Sequence, residues 1–135
     1  MRVHSAPREL PGAVVIGADY RGLAVVRSLG RRRIPVWVLT DGDDTLALHS
    51  RYTTHSAELG GTTDAERAAC LLDLAAAHGL DGWTLFPTSN RTARTVATHQ
   101  AALSANFTFT TPPWPTLRVA YDKRRMVALA ARLVP

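Results

Sequence analysis

A doubly wound parallel α/β sheet is the fold this sequence predicts, and three observations carry the prediction. Short apolar runs, AVVIG from Ala13, IPVWVLT from Ile34 and WTLFP from Trp83, alternate with stretches of helical periodicity. Strand, helix and strand fit within about thirty residues at the start, the length of a parallel βαβ unit. AVVIG is apolar without alternation, as in a strand covered on both faces by helices.

Taken in order, residues 1–11 hold two prolines and no periodicity, and are expected to form a flexible leader. AVVIG lies between Gly12 and Gly17 and reads as the first strand. A helix is expected from Tyr20 or Arg21 to about Arg31, because Gly22, Val25, Val26 and Leu29 recur at i, i+3, i+4 and i+7. The second strand starts at Ile34 and ends at the turn residues Asp41, Gly42, Asp43 and Asp44. Thr45 to Tyr52 reads as a short helix, and Thr53 to Leu59 as a weaker strand ending at Gly60 and Gly61.

Thr63 and Glu66 have capping-box spacing, so a helix begins there, with Ala68, Leu71, Leu72 and Ala75 inward and Gly79 as its left-handed stop. After WTLFP, Ser89 or Asn90 caps a helix expected to reach Leu103, and FTFT from Phe107 makes a short strand. TPPWP then interrupts regular structure, since each proline removes a backbone donor, and marks a boundary. Asp122 caps a last helix whose apolar face is Met126, Leu129, Ala130 and Leu133. No stretch repeats at a fixed period.

Composition narrows the function classes. A chain of 135 residues with 46% hydrophobic and 20% charged content suits one globular unit. No apolar run approaches the roughly 20 residues that cross a bilayer, and MRVHSAPRELPG lacks the apolar core of a secretory signal, so a cytoplasmic protein without membrane partners is expected. Cys70 lies in the apolar stretch AACLLDLAAA and suits a small packed thiol. The five histidines are scattered, with no i, i+4 pair, so no metal site is assigned. The net charge of +5 comes from fifteen arginines and one lysine against eleven carboxylates. The longest arginine run is Arg31, Arg32 and Arg33, and no aromatic residues interleave with the cations, so a nucleic-acid surface is not expected.

The loop after the first strand, GADYRG, puts Gly17 and Gly22 where a dinucleotide-binding turn has its first and third glycines. Asp19 stands in place of the middle glycine, where a carboxylate repels a pyrophosphate. This loop therefore admits two roles: a tight turn with close helix–strand contact at Gly22, or a substrate pocket using the free N–H groups of the helix N-terminus. Thr88, Ser89, Asn90 and Arg91 follow the WTLFP strand and face the same crevice by the same rule, although Ser89 and Asn90 serve equally as helix caps. No nucleophile stands with a base and an orienting third group, so no catalytic residue is assigned. Lys123, the only lysine, either reaches a phosphate or lies solvated beside Arg124 and Arg125.

Four segments together, VVIGADYRGLAVVRSLGRR, IPVWVLTDGDD with HSRYTT, GWTLFPTSN, and TPPWPTLRVAYDKRRMVALAARLVP, resemble the N-terminal region of ATP-grasp ligases. The likeness is to the carboxylate-amine ligase and carbamoyl-phosphate-synthase-like branch. The resemblance implies a Rossmann-like pre-ATP-grasp domain over residues 12–111, followed at 112–135 by the first helices of an incomplete ATP-grasp domain. It implies an enzyme that phosphorylates a carboxylate with ATP and magnesium and lets an amine displace the phosphate. By the same likeness Lys123 is the first ATP-contacting lysine, and Gly17, Asp19, Arg21 and Gly22 with Thr88 and Ser89 border the acceptor site. Asn90 and Arg91 depart from the acidic residue that relatives often carry after FPTS. The second ATP lysine, the glycine-rich lid and the magnesium ligands of the family have no counterpart, so the expectation is a truncated protein, inactive alone, that holds neither ATP nor magnesium stably and is open to homodimer formation. The alternative is a stand-alone α/β module binding a small anion at Gly17 to Gly22 and Thr88 to Arg91.

Overall fold

The structure, a computed structural model, describes residues 11–134. The expected leader, residues 1–11, lies outside the described residues apart from Pro11. Five parallel strands form one sheet: β1 (Ala13–Ile16), β2 (Val36–Thr40), β3 (His55–Glu58), β4 (Trp83–Pro87) and β5 (Phe107–Phe109), in the order β3-β2-β1-β4-β5. β1 lies at the centre, with Val14 level with Trp37 of β2 and Leu85 of β4. Every residue of β1 is at most 2% exposed, which is why AVVI is apolar without alternation.

The period of two survives in which face each residue covers. Val14, Ile16, Trp37 and Leu39 point to one core, completed by α2 (Asp64–His78), α3 (Asn90–Thr98) and α4 (Gln100–Leu103) through Leu71, Ala75, Val96 and Leu103. Val15, Val36 and Val38 point to the other, closed by Val26 of α1 (Tyr20–Gly30) and Ala47 of a 3₁₀ turn at Leu46–His49. Helices thus cover both faces, the doubly wound arrangement that the strand pattern predicts. Cys70 is half-buried against the larger core.

Local chemistry sets the element ends. Thr63 and Glu66 form the expected capping box, and Gly79 ends α2 at φ 65°. The single helix expected from Asn90 to Leu103 is instead broken at His99, into α3 and α4. Thr98 at the end of α3 explains the break: it donates its hydroxyl to the Arg94 carbonyl at 2.7 Å, competing with the helical ladder, whereas the Thr95 hydroxyl is taken by Asp64 at 2.6 Å. The proline segment, expected to be irregular, opens α5 (Trp114–Tyr121). Pro115 lies in its first turn, where the missing N–H has no helical partner to lose.

Asp122 then caps α6 (Lys123–Leu133) by accepting from the Arg124 N–H at 2.9 Å. α6 packs on α5, and α5 on α3. The apolar face expected on α6 exists but is not covered: Met126, Leu129 and Leu133 are 46%, 44% and 74% exposed. Among the described residues, no helix is long and apolar enough to cross a membrane.

The tightest point of the fold is the crossing of α1 over the end of β1, where a Cβ on Gly22 would overlap the Gly17 carbonyl. Gly22→Ala is expected to lower stability by about 2–3 kcal/mol in urea denaturation, although alanine is the better helix former by about 1 kcal/mol. Gly60→Ala, where a Cβ meets nothing within 4 Å, is expected to stay within about 0.5 kcal/mol of the parent.

Candidate functional site

In this strand order the chain leaves β1 towards β2 on one side and returns to β4 on the other, so the loops after β1 and β4 diverge. A crevice of about 80 Å³ opens between them. It is lined by Gly17, Asp19, Arg21, Thr88 and Ser89, and also by Asp41 and Asp44 from the turn after β2. Five of the six sequence-predicted substrate residues therefore share one cavity. Gly22 is buried beneath it, against Gly17. Lys123 opens α6, is exposed, and is not among the lining residues.

The loop after β1 is held from both sides. Gly17 has φ 119°, a conformation that glycine adopts freely, and a Cβ there would overlap the Thr88 hydroxyl. That hydroxyl donates to the Ile16 carbonyl at 2.7 Å and ties the loops of β1 and β4 together. Asp19 caps α1, accepting from the N–H groups of Arg21 and Gly22 at 2.9 and 3.2 Å. Its other oxygen accepts from Arg21 Nε and Nη2 at 2.9 and 2.7 Å. The Arg21 side chain, joined by the two backbone N–H groups, keeps the Asp19 carboxyl below its ordinary range against a smaller opposing effect of burial.

The helix N-terminus was expected to offer free N–H groups to a ligand; two of them are already occupied by Asp19, because the carboxylate is the correct length and charge for an N-cap. Ser89 likewise caps α3, its oxygen accepting from the Thr92 N–H at 3.1 Å while Thr92 Oγ1 accepts from the Ser89 N–H at 3.2 Å. Cap and crevice roles coincide at both residues.

Asp41 is different, since it makes no hydrogen bond among the described residues. Its oxygen lies 3.8 Å from Arg67 Nε and 3.9 Å from Arg91 Nη2, beyond hydrogen-bond reach. Burial raises its carboxyl above the ordinary range, and the Arg91 charge offsets only part of this. Arg67, on α2, is 3% exposed and its Nε is buried without a hydrogen-bond partner. Its Nη1 lies 3.7 Å from Asp64, which also accepts from Arg94 Nε at 3.0 Å and Thr95 Oγ1 at 2.6 Å. A charge network thus runs under the crevice from α2 and α3.

Sequence reasoning missed Asp41, Asp44, Arg67 and Asp64 as parts of this site. The rule that ligands bind beyond the carboxyl ends of strands applied to β2 as it did to β1 and β4, and would have placed DGDD at the crevice. Arg67 carries no such signal, because a buried arginine at helix spacing reads like a solvated one.

The arrangement suits a small cationic group. Three carboxylates and one guanidinium line the cavity, and only Asp19 has a hydrogen-bonded cationic partner, so the lining favours a cation over an anion. A volume of about 80 Å³ equals roughly two or three waters, enough for an ammonium head but not for a nucleotide. No group of three or more His, Cys, Asp or Glu is placed to hold a metal among the described residues.

No protein-family model matches the chain, and no curated protein does. Among solved structures it is similar to the biotin carboxylase domain of a single-chain bacterial carboxylase, at 24% sequence identity and a TM-score of 0.60. The match covers 90% of this chain and 29% of that one. The likeness is one of fold.

Two outcomes follow from the charge network. Arg67→Ala is expected to cost on the order of 3 kcal/mol in urea denaturation, by stripping Asp41 and Asp64 of a buried counter-charge, while Arg94→Ala, at an exposed pair, costs under about 1 kcal/mol. Asp19→Ala is expected to cost about 1 kcal/mol at neutral pH. Because the folded carboxyl titrates below its ordinary value of 3.8, that contribution is present above this value and is lost as the pH falls through the lowered one. Melting curves of parent and variant should therefore converge in acid.

Proposed function

We propose that residues 12–111 form the substrate-side domain of an ATP-dependent carboxylate-amine ligase of the ATP-grasp kind, and that its crevice receives the amine. The observation that carries this is Asp41, a carboxylate at the switch point of the sheet that accepts no hydrogen bond among the described residues, backed by Asp44, with its two nearest guanidiniums at 3.8 and 3.9 Å. The family rests on the resemblance of the four sequence segments, and the fold shared with a biotin carboxylase domain supports it. ATP in such enzymes supplies the phosphoryl group that activates the carboxylate. On this reading 112–135 begins the nucleotide-binding part, and Lys123 contacts ATP only together with groups outside these residues.

What the described residues do follows from their chemistry. Asp41 and Asp44 attract the ammonium form of the substrate, and Gly17 keeps the floor open. An amine must lose a proton before it attacks, and Asp41, with its carboxyl raised by burial, accepts one more readily than an ordinary aspartate. Thr88, Ser89 and Asp19 are fixed by their own hydrogen bonds and hold the walls still.

The test uses the purified 135-residue chain. It should show no ATP turnover above a heat-treated control, and amines should shift the backbone amide resonances of Gly17–Gly22 and Asp41–Asp44 saturably, where carboxylates of the same skeleton do not. Asp41→Asn should weaken amine binding roughly tenfold, as loss of a charge-assisted contact. Turnover from a contaminant-free sample, or saturable binding of carboxylates in place of amines, defeats the proposal.

A further inference from the structure

A cationic groove lies away from the crevice, on the outer face of α1. Leu23, Arg27 and Arg31 fall at i, i+4 and i+8 and form one wall; the segment Leu46–Tyr52 forms the other. The groove encloses about 680 Å³, within the range of about 300–1,000 Å³ common for small-molecule sites. We propose that it binds a small organic phosphate, with Arg27, Arg31 and Arg51 on the phosphate and the apolar body along Leu23 and Leu46.

Charge comes first. Among the described residues, no carboxylate lines this groove and none lies within ion-pair distance of these three arginines, although six ion pairs form elsewhere. The helix dipole accounts for Arg27 and Arg31 near the C-terminus of α1, but not for Arg51, which comes from a different segment and converges on the same space. Three guanidiniums match the charge of a phosphate dianion better than that of a single carboxylate, and each fork fits phosphate oxygens.

The opposite wall is built rather than loose. Tyr52 presses on Gly30 so closely that a Cβ there would overlap its ring. The Tyr52 hydroxyl accepts from Arg51 Nη2 at 2.8 Å, and the guanidinium lies 4.8 Å from the ring centroid. Arg51 is therefore held in place before any ligand arrives, which lowers the entropy cost of binding. Ala47 N–H donates to the Ala18 carbonyl at 2.9 Å and fixes the segment to the loop after β1. Leu46, 50% exposed, leaves an apolar surface beside the cations.

Amide-resolved titration of the 135-residue chain with phenyl phosphate and inorganic phosphate, against sodium chloride at matched ionic strength, tests this. Saturable shifts are expected at residues 27–31 and 50–52, with phenyl phosphate binding about tenfold tighter because its ring covers Leu23 and Leu46. Arg51→Gln, at an exposed position, should keep the parent's resonance dispersion and weaken both ligands about tenfold; Arg27→Gln serves as the second variant. Shifts that never saturate and follow ionic strength, equal affinity for the two phosphates, or unchanged affinity in both folded variants would each overturn the proposal.

Discussion

Everything in this molecule is arranged around the burial of β1. Four residues, AVVI, give up all contact with solvent, hydrogen-bond to neighbours on both edges, and supply side chains to both cores. A strand so placed leaves only its two ends for chemistry. At its carboxyl end the backbone must turn at once into α1, and the turn is possible because Gly17 takes a positive φ and Gly22 lets the helix lie on the carbonyl beneath it. The crevice is the space that this crossing and the opposite departure of β4 leave open.

Polar groups around that space follow the same constraint. A sheet edge sealed by apolar helices cannot hold charges cheaply, so the ones present are either capped, as Asp19 and Ser89 are, or drawn into a mutual network, as Arg67, Asp64 and Arg94 are. Asp41 stands at the margin of that network, 3.8 Å from Arg67 and without a hydrogen bond among the described residues. Its nearest cations stand too far for hydrogen bonds and its carboxyl is raised by desolvation, the state of a group kept unsatisfied by the fold and free for something else. That contrast, more than any single motif, separates a site from a well-made turn.

The strands, the capping box and the stop at Gly79 were legible in the sequence because each is decided by a few neighbouring residues. The same holds for the crevice residues Gly17, Asp19, Arg21, Thr88 and Ser89, which a rule about strand ends reaches without coordinates. The place of Asp41 was within reach of the same rule applied to β2, but its desolvation, like the burial of Arg67, depends on α2 and α3 arriving over β2, a matter of tertiary burial. The break at His99 and the start of α5 were hidden for another reason. Threonine back-bonding and a first-turn proline reverse the usual meaning of residues that otherwise continue or stop a helix. For α6 the periodicity was right, but a periodic face says only that a helix forms, not what covers it.

The charges of the chain are segregated, and this bears on what the fold can bind. Carboxylates gather at the carboxyl edge of the sheet, beyond β1 and β2, while unpaired arginines lie along the flank of α1 and the segment that follows. Both regions are anchored to one helix, whose first turn is capped by Asp19 and whose last turns carry Arg27 and Arg31. The helix dipole favours this polarity at each end, so it costs little to build. A single element therefore presents an amine-favouring end and a phosphate-favouring flank.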